Sequence, residues 1–364
     1  MNSPGNARGF SLVELMVSMV VALLVMAAAL RVFVGMNESF RLEDALSRLQ
    51  ENARYGFEAL ALDARQAGFT GCITTVNNLL DPSGANYDPA LYDVNRPLTG
   101  FEFTGTDSGD TYTVTTLDPS GVSRAGWSDD TGTQLPAMLQ DAVLPGTDVL
   151  FVKQASQRLE VTAQGNTPAT AATVNLTGAS GIDQDTIVLI SDCAGADLFQ
   201  NRAADNAATL SRGAGGDPGN LNPGGNDFSH AYGPGAEIYV LSATVYYVGM
   251  GVNGNPGLFR RRFLEGGTGS TQELIEGVEN MQILYGEDTD ADRVADVYVA
   301  ADAVGDWARV VSVKVGLLMR TPQDARIDPD TATYAILGTT VDPPDQRRVR
   351  RVVSWTLALR NRVL

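Results

Sequence analysis

The strongest constraint on this 364-residue chain is an apolar run close to its start. Residues 10–30 read FSLVELMVSMVVALLVMAAAL, in which Glu14 is the single charged residue. A helix of this length rises about 1.5 Å per residue and spans roughly 30 Å, the thickness of the hydrocarbon core of a bilayer. The segment therefore belongs in a membrane or in an equally apolar assembly, and the rest of the chain folds beyond it.

Three interpretations of this segment differ in how they treat Glu14. A secretory signal peptide would use Arg8 as its positive end and the alanines at 27–29 as its cleavage site. A plain single-span anchor would also fit the length. Both interpretations leave the Glu14 carboxylate unexplained, although inserting a carboxylate into a membrane costs about 2.5–3.5 kcal/mol on insertion scales.

The third interpretation gives every residue of the segment a role. A short polar leader is followed by GFSLVE at residues 9–14, which resembles the prepilin cleavage motif of type IV pilins and type II secretion pseudopilins. The resemblance implies that prepilin peptidase cuts after Gly9 and that the new N-terminus, Phe10, is methylated. It also implies that Glu14 pairs with the N-terminal ammonium of a neighbouring subunit. Because an unpaired buried charge is strongly unfavourable, this pair would set the register in which subunits dock.

Residues 32–68 continue the helix as an amphipathic segment. Apolar side chains recur at spacings of three and four: Leu42, Leu46, Leu49, Ala53, Phe57, Leu60, Ala64 and Ala67. No proline interrupts residues 10–68, which predicts one helix extending roughly 88 Å. We assign residues 1–9 to a leader peptide, 10–31 to the membrane or filament core, and 32–68 to packing against a globular domain.

Beyond residue 68 the pattern is that of strands and turns. Residues 307–319 and 353–359 alternate between apolar and polar side chains, which is typical of antiparallel strands with one solvated face. The sequence therefore predicts an α+β, type IV pilin-like fold, in which the long helix packs against a largely antiparallel β-sheet domain of residues 69–364. The Gly/Asn-rich stretch 201–235 is too long for a passive connector, so we expect it to be disordered or to pack against partners.

Composition excludes several kinds of site. The formal charge of −17 removes the positive field that nucleic-acid binding needs, so no nucleic-acid partner is expected. One histidine, His230, and two cysteines are too few for a multi-histidine or zinc-finger site. In an oxidising compartment the economical arrangement is a disulfide between Cys72 and Cys193. The alternative, a reactive thiol, would need a basic neighbour, and none is near Cys72 in sequence.

One acidic loop has the spacing of a calcium site. Asp288, Asp290, Asp292 and Asp296 occupy positions one, three, five and nine of a loop, as oxygen ligands do in calcium loops. Arg293 stands where such loops carry glycine, and the twelfth position lacks the usual glutamate. Calcium is therefore the one candidate cofactor, and the alternative is an acidic, solvated hairpin with aspartates in turns. No nucleophile motif surrounds His230, so catalytic activity is not expected.

Five segments extend the resemblance beyond the leader. They are LQENAR at 49–54, AGFTGC at 67–72, DCAGADLFQ at 192–200, LIEGVENMQILYG at 274–286 and LALRNR at 357–362. Together they are similar to the PilW family of type IV pilus minor pilins. The resemblance implies a subunit of a tip complex that primes pilus assembly and supports adhesion or twitching motility.

The same resemblance implies partners and a location. The partners are other minor pilins, the major pilin, a tip adhesin and prepilin peptidase. The protein would cross the inner membrane once, with a periplasmic C-terminal domain, and then lie at the extracellular pilus tip. Two alternatives remain at this point. A type II secretion minor pseudopilin shares the leader, whereas a membrane-anchored periplasmic hydrolase predicts a cleft with paired carboxylates and an unprocessed N-terminus.

Overall fold

The computed structural model describes residues 11–265 and 268–363. Helix α1 (Leu12–Gln66) runs without interruption for 55 residues. A capping box starts it: the Ser11 hydroxyl accepts the Val13 N–H, and the Glu14 carboxylate accepts the Ser11 N–H at 3.0 Å. The predicted cleavage and methylation positions, Gly9 and Phe10, lie outside the described residues.

The two halves of α1 have different surroundings. Every side chain from residue 12 to residue 37 is exposed, including Leu24 at 67% and Phe33 at 63%. Within the described chain, α1 is the helix that is long and apolar enough to cross a membrane. Burial begins at Leu49 and continues along one face through Ala53, Leu60 and Ala64. The N-terminal half of α1 therefore presents a bare apolar surface, while the C-terminal half is anchored in a core.

The elements after α1 follow in chain order. They are β1 (Asn77–Asn78), α2 (Pro89–Tyr92), β2 (Leu98–Phe103), β3 (Thr111–Thr113), β4 (Trp127–Ser128), β5 (Val149–Thr162), β6 (Thr173–Asn175), β7 (Ile187–Ser191), β8 (Ala196–Gln200), β9 (Thr209–Ser211), β10 (Glu237–Met250), β11 (Pro256–Glu265), β12 (Thr268–Glu276), β13 (Val278–Glu287), β14 (Val297–Val299), β15 (Val310–Arg320), β16 (Tyr334–Ile336), β17 (Thr339–Asp342), β18 (Arg350–Ala358) and α3 (Arg360–Val363).

The β region is divided among four sheets rather than forming one. The largest follows the order β1-β8-β7-β10-β5-β2-β4, and β11 adds to β10 and is followed by β12. The second has the order β14-β13-β15-β18, and two small sheets are β16-β17-β3 and β6-β9. The pairs β1/β8 and β17/β3 are parallel, and the other strand pairs are antiparallel. This layout is compatible with the predicted helix-on-β fold, although the single sheet implied there is replaced by several.

Helix α1 packs on both large sheets at once. Its buried residues share one apolar core with Leu258 and Ile275 of the first sheet and with Val315 and Leu357 of the second. A Cβ atom on Gly56 would lie 2.8 Å from the end of the Ile275 side chain, so a larger residue here would require that side chain to move. Phe57 stacks on Trp355 of β18 with ring centroids 5.2 Å apart. The helix thus joins the two sheets into one packed unit.

The end of α1 is also tied to the end of the chain. The Asn361 side-chain amide donates to the carbonyls of Gln66 at 3.3 Å and Ala67 at 3.1 Å. These are carbonyls that a helix C-terminus leaves without internal partners. The two ends of the sheet domain therefore meet at one point.

The stretch 201–235 is packed onto its own domain, which neither sequence-based expectation anticipated. Phe228 and Tyr232 are buried in a second apolar cluster, and Arg212 is only 1% exposed. The Arg212 guanidinium lies 4.4 Å over the Phe228 ring and donates to the carbonyls of Ala171 and Asn226. Two aromatic side chains and one buried arginine thus contribute to holding this glycine-rich stretch in place.

Candidate functional site

Glu14 is an isolated carboxylate on the bare half of α1. Its neighbours on the same face are apolar or small: Val13, Val17, Ser18, Val21, Ala22, Val25, Met26 and Ala29. Within the described residues, no basic side chain contacts it, and the Ser11 N–H is its hydrogen-bond donor. When this apolar helix enters an apolar environment, a cationic partner from outside this part of the chain would stabilise the charged form of its one carboxylate.

Cys72 and Cys193 form a disulfide, as predicted, with their Cα atoms 5.2 Å apart. Cys72 follows α1 closely, and Cys193 lies in the tight turn between β7 and β8. Gly71 adopts φ of +88°, and a Cβ atom there would lie 2.8 Å from the Ser191 hydroxyl. The Ser191 hydroxyl donates to the Thr70 carbonyl at 3.1 Å. The AGFTGC and DCAGADLFQ segments are therefore two halves of one junction between helix and sheet.

His230 lies beside this junction in a chain of polar contacts. Its Nε2 is 3.1 Å from the Asp192 carboxylate, and its Nδ1 is 3.2 Å from the Ser229 hydroxyl. This order of Ser, His and Asp resembles a hydrolase triad, but the Ser229 hydroxyl donates to Asp197 at the shorter distance of 2.7 Å. The fully buried Asp197 also accepts the Ser229 N–H. The serine proton is thus directed away from the imidazole, and the contacts fasten the 201–235 stretch to the β7–β8 turn.

A pair of carboxyl groups, Glu102 and Asp148, is buried where the two large sheets meet. Their exposed fractions are 3% and 2%. Asp148 accepts the Ile283 N–H of β13 at 2.7 Å, and Glu102 accepts the Thr106 hydroxyl at 3.0 Å. Burial, followed by the repulsion from Asp148, raises the pKa of Glu102, and burial also raises the pKa of Asp148. These are the paired carboxylates that a hydrolase would need, but they lie inside the core rather than in a cleft, so they serve to join the sheets.

The acidic loop brings together three of its four predicted ligands. Oxygen atoms of Asp288, Asp290 and Asp296 lie within 4.8 Å of one another, and Asp292 is not part of this group. Asp288 accepts three backbone N–H groups, those of residues 291, 292 and 293. Asp296 accepts the N–H and hydroxyl of Thr289, which lower its pKa. The carboxylates therefore cap turns of their own loop, and calcium binding stays a prediction.

Glu279 is the centre of a buried ionic network. Its carboxylate contacts Arg350 at 2.7 Å and Arg320 at 3.3 Å, and Arg350 reaches Asp330 at 3.4 Å. The exposed fractions of these four side chains are between 0 and 3%. Next to it, Gly277 adopts φ of +87°, and a Cβ atom there would lie 2.3 Å from the Arg320 carbonyl. The Gly-Val-Glu stretch thus ties the start of β13 to the end of β15 and the start of β18.

Two family models match this chain. Residues 245–361 match type IV pilus-assembly protein W, PilW, and residues 5–30 match the prokaryotic N-terminal methylation motif. The predicted resemblance to the PilW family is confirmed. No curated protein and no solved structure matches the chain. The two matches support a type IV pilus-related, pilin-like protein, and the apolar N-terminal helix is compatible with a membrane anchor.

The PilW-matching region has a clear place in the fold. It begins within β10 and continues through β18, so it contains the whole second sheet, the Glu279 network and the acidic loop. The disulfide junction and the His230 contacts lie outside it. Of these features, the sequence predicted the cysteine pair and the acidic loop from residue type and spacing. It did not predict the ionic network, although charged residues such as Glu279 and Arg350 within strongly apolar segments indicate a buried ion pair.

We expect Asp288→Ala to lower the free energy of unfolding by about 1–2 kcal/mol in the presence of a chelator, because three backbone N–H groups lose their acceptor. Thermal unfolding of the full chain in detergent measures this. Asp292→Ala is the matched control with a smaller expected effect, because the Val294 N–H is the donor it loses.

For the predicted calcium site, saturating calcium should raise Tm in the unaltered protein. Equal Tm values in calcium and in chelator contradict calcium binding.

Proposed function

We propose that this protein is a minor pilin that acts in a tip complex priming type IV pilus assembly, and that through this complex it supports adhesion or twitching motility. The observation that carries the proposal is the bare apolar half of α1, with Glu14 near its start, joined to a large domain that contains the PilW-matching region. Such a helix can bundle with the helices of other pilin subunits and can dock on the subunit below it.

The size of the domain supports a place at the end of a filament. The described residues beyond α1 form four sheets and run to residue 363, which is well above the usual size of a single domain. A bulky domain repeated along a close-packed helical filament meets the domain of the next subunit. At the tip no subunit lies above it. We therefore place the other minor pilins, and a tip adhesin, around this domain and the major pilin below it.

The proposed chemistry of docking is a charge pair within the helix bundle. Prepilin peptidase would cut after Gly9, and the ammonium of methylated Phe10 from one subunit would meet Glu14 of another. The pair is needed because burying either charge alone costs several kcal/mol. A type II secretion pseudopilin would use the same pair, but the match over residues 245–361 favours the pilus. The buried position of Glu102 and Asp148 does not favour a hydrolase.

We expect Glu14→Ala to reduce the amount of this protein in sheared pili, and the number of pili per cell, by more than tenfold. The alanine leaves an unpaired ammonium in the bundle. A loss of about 1.4 kcal/mol in the free energy of docking already reduces the docking affinity tenfold. Immunoblots of sheared pili and electron microscopy of cells measure the two quantities. Ser18→Ala is the matched control, since it lies on the same face of α1 and its hydroxyl donates to its own helix.

Intact-mass analysis of the protein from cells tests the processing step. The expected mass is that of a chain beginning at Phe10 with one added methyl group. A chain that retains residues 1–9, or Glu14→Ala protein that enters pili as well as the unaltered protein, contradicts the proposed function. If pili are unaffected but type II secretion stops, the pseudopilin alternative replaces it.

A further inference from the structure

Strand β18 is the end strand of its sheet, and one of its edges is open. It pairs with β15 without a register shift from Arg350 to Ala358. The Leu359 N–H donates to the Val311 carbonyl at 2.9 Å, which fixes the alternation of the backbone groups. Odd-numbered residues therefore face β15, whereas Val352, Ser354, Thr356 and Ala358 direct their N–H and C=O groups outward. No hydrogen bond links these outward groups to another residue in the part of the chain that the structure describes.

This edge lacks most of the features that normally prevent strand addition. Edge strands are commonly protected by proline, charged side chains, a bulge or a covering element. Residues 350–358 contain no proline, Arg351 is their one exposed charged residue, and their ladder with β15 is regular. The opposite edge of the same sheet is partly protected, because β14 pairs with the end of β13. The open edge of β18 is thus able to accept a strand.

A groove lies between this edge and α1. Gln50, Ala53, Arg54 and Phe57 of the helix form one wall, and residues 351–355 of β18 form the other. Its volume is about 390 Å³. The stacked rings of Phe57 and Trp355 lie in it, so an added strand would have both backbone partners and an apolar surface. The groove follows on from the bare half of α1, which is the surface assigned to other pilins.

The charge of this region indicates the chemistry of the occupant. The chain as a whole carries −17, but residues 345–362 contain one acidic residue and six arginines, of which Arg348 and Arg350 are paired with acidic residues elsewhere in the domain. Arg347, Arg351 and Arg360 are exposed. Arg351, at the mouth of the groove, has no ion pair among the described residues. A basic edge on an acidic protein attracts an acidic segment, whereas a second copy of this chain is repelled over most of its surface.

We propose that the open edge of β18 binds an acidic, extended segment of another minor pilin, which adds as a fifth strand to the β14-β13-β15-β18 sheet. This inference rests on the proposed function and names the surface through which the tip complex is built. Main-chain hydrogen bonds supply the affinity in this mode of recognition, and side chains along the edge supply the specificity. The Arg351 guanidinium would pair with a carboxylate of the incoming strand, and Trp355 would contact one of its apolar side chains.

Photo-crosslinking in cells tests this surface in the full chain. A benzophenone amino acid replaces Ser354, which is exposed on the open edge, and peptide mass spectrometry identifies the crosslinked segment. The expected product joins residue 354 to an acidic segment of another prepilin-type subunit. Thr356→Pro should reduce it more than tenfold, because proline removes an outward N–H yet is tolerated at an edge. Thr356→Val keeps the N–H and should retain the product. Arg351→Glu should reduce the crosslinked product, whereas Arg351→Lys, which keeps the positive charge, should retain it.

Several results would overturn the inference. They are a product unaffected by Thr356→Pro, a product with a second copy of this chain, and no product at residue 354 although the same probe at Val34 of α1 crosslinks to pilus subunits. The probe at Val34 separates this inference from the proposed function. If neither position crosslinks to a pilus subunit and the protein is missing from sheared pili, the proposed function fails as well.

Discussion

Glu279→Ala is expected to lower the free energy of unfolding of the sheet domain by about 3–5 kcal/mol, because it leaves buried arginine charges without their main partner. The Arg350 and Arg320 guanidinium groups both contact the Glu279 carboxylate. After the substitution, Asp330 remains as the acidic contact of Arg350, and Arg320 loses its ion pair. Denaturant unfolding of the full chain in detergent, followed by tryptophan fluorescence, measures the change.

Two further variants make the Glu279 prediction specific. Glu279→Gln keeps the shape and some hydrogen bonds, so its effect should be smaller than that of alanine. Glu160→Ala removes an exposed glutamate from β5 and should change stability by less than about 0.5 kcal/mol. If Glu279→Ala and Glu160→Ala have equal effects, the network does not hold the start of β13 in place.

The second large effect is expected from the disulfide. Replacing both Cys72 and Cys193 with serine should destabilise the protein by about 4–5 kcal/mol in the chain-entropy account of such a long loop. The two cysteines are separated by 121 residues. Denaturant unfolding with and without reductant measures this, since the unaltered protein should lose the same amount when it is reduced. Reductant should leave the double variant unchanged. A double variant as stable as the oxidised protein would contradict a stabilising role.

The parts of the fold that could be predicted from the sequence are those with a strong local pattern. The apolar run and the three-four spacing defined α1, and period-two alternation defined β15 and β18. The long strand β5 has no continuous strand pattern in the sequence, because polar residues at 154 and 156–158 interrupt its apolar character. The structure accommodates them with register irregularities against β10, near Tyr239 and Leu241. Such irregularities depend on the neighbouring strand, so a local pattern does not reveal them.

The residues of the candidate site also divide into those that a local sequence pattern reveals and those that it does not. Glu14 and the cysteines could be found because one apolar run and one residue count single them out. The partners of Glu279 lie 41 and 71 positions away, so their meeting depends on how β13, β15 and β18 align. The packing of residues 201–235 depends on Arg212 reaching carbonyls of a separate loop. Both are tertiary contacts between segments that carry no local pattern of their own.

The junction at the end of α1 also determines how the domain bears mechanical load. A pull along α1, which the proposed place in a pilus would produce, reaches the β7–β8 turn through the single covalent link between Cys72 and Cys193. The chain between the two cysteines is thereby a closed loop outside the covalent path of the force. Without the link, this loop could be drawn out by roughly 400 Å. The Asn361 contacts bring the other end of the domain to the same point. Tension along α1 would therefore enter the domain at its base, where the disulfide limits how far the chain can lengthen.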